Sequence, residues 1–157
     1  MRALEYIALA HLVAGDPPEA ALDLARSATE WARKMPMLVG IIYGLTFQAL
    51  ALSKLGRHGE AVAAIDEAVR NLEGARPEGA EYIYGWQAEI LAAAGLTADS
   101  LAAAARAGRE ITAKAAKLRD PELRKHFLGS RRLPGLPPGA PTLAPAPSPP
   151  TPREPAP

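Results

Sequence analysis

The chain has no cysteine, only eight aromatic residues and a formal net charge of just +1. Without cysteine there are no disulfides, thiolate metal ligands or cysteine nucleophiles, which suits a reducing cytoplasm, the expected location. β-Branched residues are sparse and no period-two alternation persists, which argues against a sheet. Few aromatics and weak net charge argue against a nucleic-acid binder. Catalytic signatures are missing as well. His11, His58 and His126 lie far apart in the chain without the spacing of a helical metal site. The glycines are isolated rather than grouped into a phosphate-binding loop, and no Gly-x-Ser-x-Gly elbow occurs. Asp66 and Glu67 read as a solvated helix face. The expectation is a protein that is not an enzyme and holds no metal or cofactor.

What remains is rich in Ala, Leu and charged residues, the composition of an all-α protein. Eleven of the 16 prolines fall between Pro134 and Pro157, which divides the chain into a helical domain, 1–130, and an extended, disordered Pro-rich tail, 131–157. Charge is uneven. Residues 1–105 hold 8 basic and 13 acidic side chains, whereas residues 106–132 hold 9 basic and 3 acidic.

Punctuation by glycine, proline and capping residues predicts seven helices. Residues 2–14, with Leu4, Tyr6, Ile7, Leu9, Leu12 and Val13, form the first and end at Gly15; they read as a helix rather than a signal peptide. Asp16-Pro17-Pro18-Glu19 is a helix start, with Asp16 as cap, and Ala21, Leu24, Ala25, Ala28, Trp31 and Ala32 give the second helix its apolar side. The third occupies Met35–Gly56, in which residues 35–53 carry no charge and include eight Leu, Ile, Val or Phe. Helices over 60–73, 80–94 and from Thr97 or Asp99 to about Leu118 follow. Asp120-Pro121-Glu122 repeats the cap-and-proline device and starts a short helix that Gly129 stops.

Three glycines set a register. Gly15, Gly56 and Gly95 are separated by 41 and 39 residues, and Ala8, Ala49 and Ala88 each lie seven residues before one of them. Five, nine and twelve residues after Gly56 come Ala61, Ile65 and Ala68; after Gly95 come Ser100, Ala104 and Ala107. The first unit fits as Ala20 and Leu24 or, one residue later, as Ala21, Ala25 and Ala28. Small residues at fixed places let two backbones cross closely, and a helix pair that buries only one side stacks on its neighbours.

Over residues 2–118 this register resembles the tetratricopeptide repeat, with Gly56, Glu60, Ala61, Ile65 and Ala68 at that family's signature positions. The third unit departs with Ser100, no unit has the family's closing proline, and the period exceeds the usual 34 or so. Units near 40 residues are similar to arrays in large bacterial signalling proteins, the regulatory ATPases and serine/threonine kinases. The resemblance implies an α-solenoid of three helix-turn-helix units plus a short closing helix, acting as a protein–protein interaction scaffold, a C-terminal remnant of a larger regulator. It further implies that the first helix of each unit lines a concave groove, at positions thirteen, ten, six and three before each glycine. These are Tyr43, Thr46, Leu50 and Ser53 in the middle unit, and Tyr82, Gly85, Glu89 and Ala92 in the last, with Trp86 beside them. Such a groove suits an amphipathic helix or extended peptide. The plainer reading is that Tyr43, Tyr82 and Trp86 pack between units.

Two rivals belong to other classes. One is an α-helical ligand-binding or enzymatic bundle with a closed pocket. The other is a membrane-associated protein spanning at 35–53, where Gly40 and Gly44 have the Gly-x-x-x-Gly spacing. Pro36, Thr46, Gln48 and Ser53 erode that span, and the repeat explains its composition without lipid. The nearly all-round apolar helix 2–14 predicts that an upstream repeat, a partner or a second copy covers that end. The basic stretch 106–132 reads either as a solvated last helix, with Glu110 and Lys114 paired, or as a dock for an acidic surface. The Pro-x-x-Pro matches in the tail are expected from its composition.

Overall fold

The computed structural model describes residues 2–75 and 78–130, and all of these that are regular are helical. The helices are α1 (Arg2–Ala14), α2 (Pro18–Lys34), α3 (Leu38–Lys54), α4 (His58–Ala75), α5 (Ala80–Ala93), α6 (Thr97–Ala116) and α7 (Pro121–Ser130). The tail assigned to 131–157 lies outside the described residues.

The same turn closes α1, α3 and α5. Gly15, Gly56 and Gly95 have φ of 78°, 71° and 79°, the left-handed region that only glycine enters without strain. In each case the amide of the following residue reaches back five positions: Asp16 to the His11 carbonyl, Arg57 to that of Leu52 and Leu96 to that of Leu91, at 3.1, 2.9 and 2.9 Å. These bonds satisfy carbonyls that the helix end leaves open.

Beside each turn the small residues lie where the helices cross. Ala8, Ala49 and Ala88 are all buried. In the middle unit Ala61, Ile65 and Ala68 are buried opposite them. In the first unit Ala20 is exposed whereas Ala21, Ala25 and Ala28 are buried, so the later of the two registers is the one adopted. Ser100 occupies its site in the third unit by donating its hydroxyl to the Ala88 carbonyl at 2.7 Å, a bond from one crossing position to the other.

Contacts among the described helices follow a simple order. Each helix packs on the next, and α3 also packs on α1 and α5, while the backbones of α2, α4 and α6 stay apart and are bridged by side chains. With four neighbours, α3 buries a nearly continuous run from Gly40 to Leu52. That explains its lack of charge, since an unpaired charge there would have no compensating solvent. No described helix is long and apolar enough to cross a membrane.

Several expectations need correction. Residues 35–39 belong to the uncharged run, yet Met35, Met37, Leu38 and Val39 are exposed together with Trp31, and α3 begins only at Leu38. Asp16 does not cap α2, which starts at Pro18 without a side-chain cap; its carboxylate meets His11 Nδ1 at 2.8 Å. Asp120 does cap, accepting the Glu122 and Leu123 amides at 2.8 and 3.2 Å. Helix α7 passes through Gly129 to Ser130. Lys114 does not bond Glu110 on its own helix but reaches across to Glu81 on α5. On α1, Ala8 and Leu12 face inward, while Ile7 is exposed and Val13 is 80% exposed.

Candidate functional site

Two pairs of aromatic residues at four-residue spacing, one on α3 and one on α5, meet where those helices touch. Tyr43 and Phe47 lie one turn apart with centroids 6.0 Å apart. Phe47 meets Trp86 edge-on at 5.7 Å and 71°, and Trp86 meets Tyr82 at 6.2 Å. Edge-to-face and tilted pairs at these distances are favourable beyond the area they bury. Phe47 is buried beneath, Tyr43 and Trp86 are half-buried, and Tyr82 is 37% exposed. The Tyr43 hydroxyl donates to the Glu78 carbonyl at 3.3 Å and lies over Gly79, which begins α5. That bond ties the start of α5 to the middle of α3 and sets the row of rings.

Glu89, seven residues after Tyr82 and three after Trp86, continues the same side of α5 and is exposed. Ser53 is half-buried near the end of α3, and Ala92 is exposed near the end of α5. Thr46 and Leu50, in contrast, do not reach this surface. Thr46 is fully buried with its hydroxyl folded back on the Ile42 carbonyl at 2.8 Å, and Leu50 belongs to the core. Gly85 is buried as well. Since α3 packs against both α1 and α5, side chains that point along this row of helices are covered. The surface is therefore Tyr43, Tyr82, Trp86 and Glu89, with Ser53 at its edge.

Glutamine is the residue type that the sequence reading passed over. Gln48 and Gln87 each lie eight residues before a turn glycine. Each reaches back to the second helix of the preceding unit: Gln48 Nε2 donates to Thr29 Oγ1 at 2.6 Å, and Gln87 Nε2 to Asp66 Oδ1 at 3.4 Å. Their shared register was the available signal. Asp66 is accordingly half-buried rather than solvated.

Between α4 and α6, whose backbones stay apart, a cleft of about 330 Å³ opens onto Gln87, with Val62, Asp66, Asp99 and Arg106 among its walls. Gln87 Oε1 is buried without a hydrogen-bond partner. Arg106 pairs with Glu73 at 3.3 Å and lies 5.8 Å from the Tyr84 ring centroid. Burial first, and then Glu73, raise the Tyr84 pKa, with Arg106 opposing. Across the other gap Arg33 bonds Glu67 at 2.7 Å. All four charged side chains of these bridges are well exposed, so each bridge adds at most about 1 kcal/mol. They set the register of α2, α4 and α6 more than they hold them together.

No group of three or more His, Asp or Glu among the described residues could hold a metal ion. His11 pairs with Asp16, His58 is half-buried and His126 is exposed. What the geometry offers is an apolar and aromatic surface with an acid at one end, carried on an all-helical protein of paired helices. Compared with protein-family models, curated proteins and solved structures, the chain matches none.

Proposed function

We propose that this chain is a tetratricopeptide-like α-solenoid of three units and a protein-interaction scaffold, taking a peptide or amphipathic helix across α3 and α5. The observation that carries this reading is the row of partly exposed rings, Tyr43, Trp86 and Tyr82, seated on buried Phe47. Aromatic side chains on a rigid base are the usual anchors of binding surfaces, since their burial gains much area at small entropic cost. The contact order supports the solenoid part. Consecutive first helices pack together while the backbones of the second helices stay apart, as expected if the row of first helices is the inner side of a curved stack. Exposed Ile7 and Val13 support the expectation that an upstream repeat, a partner or a second copy covers α1.

Peptides selected against the full chain from a random library supply the test. Tyr82→Ala is expected to raise their Kd about 5- to 30-fold, corresponding to about 1–2 kcal/mol, read by fluorescence anisotropy. Its unfolding midpoint should fall only modestly, since Tyr82 is 37% exposed and its ring leans on Trp86, and affinities are compared where both proteins are fully folded. Unchanged affinity would count against the groove.

A second reading, a small-molecule site in a helical bundle, draws on the cleft beside Gln87 and its buried carbonyl. It requires a ligand whose affinity falls in Gln87→Leu and not in Tyr82→Ala.

A further inference from the structure

The joint between α2 and α3 carries a second apolar surface, which the groove does not use. We infer that this joint, Trp31 with Met35 to Val39, seats on an anionic lipid surface and lies in its interface without crossing it. The inference is independent of the groove reading.

Residues 33–39 are seven consecutive exposed positions, and Trp31 is exposed just before them. Trp31, Met35, Met37, Leu38 and Val39 thus leave five large apolar side chains open within nine positions of chain. An exposed apolar cluster of this density marks a contact with protein or membrane.

The chemistry of the joint selects lipid. Tryptophan prefers the membrane–water boundary, where its ring meets acyl chains and its N–H stays wet. Lys34 lies inside the cluster, is exposed and makes no ion pair among the described residues, whereas Arg33 beside it bonds Glu67. The lysine stem can follow its apolar neighbours while the ammonium stays in the headgroup layer. No acid occurs between Glu30 and Glu60. Helix α3 begins without a side-chain cap and without an acid in its first turn, which leaves the positive end of its dipole open. Apolar side chains, an unpaired ammonium and an uncapped helix start call for a partner that is apolar and anionic at once. Acyl chains beneath anionic headgroups are such a partner.

The backbone suits that boundary as well. The Met35 amide bonds the Trp31 carbonyl at 3.1 Å, the Met37 amide bonds that of Ala32 at 2.9 Å, and Pro36 has no amide to strand. The α4–α5 and α6–α7 joints share this end of an antiparallel stack. Glu78 is exposed there, Lys117 and Arg119 outweigh it, and the Asp120 carboxylate is held by α7 amides. A second copy fits less well. A two-fold contact at this joint would set Lys34 against Lys34 and one α3 start against the other, with no acid from residues 31–59 to meet them.

The test mixes the full chain with vesicles of equimolar phosphatidylglycerol and phosphatidylcholine bearing brominated acyl chains. Tryptophan emission should be quenched, and Trp31→Phe should abolish the quenching. Lys34→Glu should lower the partition coefficient about 30-fold, at about fivefold for each of two charges. Met37→Asp should lower it at least about tenfold. The same kind of change at Leu101, which is 64% exposed on α6, should leave it unchanged. No binding, equal binding to phosphatidylcholine alone, quenching that persists in Trp31→Phe, or equal losses in Met37→Asp and Leu101→Asp would each overturn the inference. A lipid-free dimer that Met37→Asp disperses would give the joint to a second copy and overturn it too.

Discussion

Replacing Lys114 with methionine is expected to lower the free energy of unfolding by about 3–5 kcal/mol, the largest loss foreseen for any single side chain discussed here. Glu81 is the reason. It lies in the first turn of α5 and is only 1% exposed, and Lys114 Nζ approaches its Oε2 at 2.6 Å from α6. The N-terminal end of α5 favours the negative charge there, by up to about 1 kcal/mol. That is less than the several kcal/mol that burying a carboxylate costs, so losing the lysine at 2.6 Å is felt. A domain of this size has roughly 5–15 kcal/mol in total, so the loss would bring it near the edge of folding. Urea unfolding reads the effect directly. The double variant Glu81→Leu/Lys114→Met should recover most of it, because removing the buried carboxylate also removes its desolvation cost. A single-variant cost below about 1 kcal/mol would mean that water reaches Glu81 in solution.

Gly44→Val ranks second, at about 3 kcal/mol, the upper end of what overpacking costs. Helix α3 crosses α2 at this glycine. A Cβ added to Gly44 would lie 2.3 Å from Thr29 Oγ1, 3.2 Å from its Cβ and 3.3 Å from its Cα. The hydroxyl alone could swing away, but it donates to the Ala25 carbonyl at 2.8 Å and accepts from Gln48 Nε2. The Cα cannot move without α2 itself. Gly44→Ala is the sharper test, because its sign is at stake. In a solvated helix, Gly→Ala stabilises by about 1 kcal/mol. Here the same change should destabilise, and a gain in the urea midpoint would show that α2 and α3 are not packed this closely.

Much of the fold was legible because its signals are local. The glycine at the end of each first helix, the alanine seven residues before it and the acid-proline starts act over a few residues, and the three turns repeat as their register requires. The failures fall where a distant partner decides. Nothing within one helix of Lys114 points to Glu81, 33 residues away, so helical spacing offered Glu110 instead. Asp16 has the residue type of a cap, but His11 lies within reach across the turn and takes its carboxylate. Thr46 and Leu50 were placed on the groove by resemblance alone, and which side of α3 stays open depends on how α1 and α5 cover it. Tyr43, Tyr82 and Trp86 were within reach of sequence reasoning as residues, but not as one row, since the contact through Phe47 joins two helices.

Mapping amide shifts of the full-length chain during titration with a selected peptide tests most directly whether a partner binds across α3 and α5. Shifts concentrated at Tyr43, Tyr82, Trp86 and Glu89, along α3 and α5, are the expected result. Shifts centred instead on Val62, Asp66 and Asp99, in the cleft between α4 and α6, would contradict it.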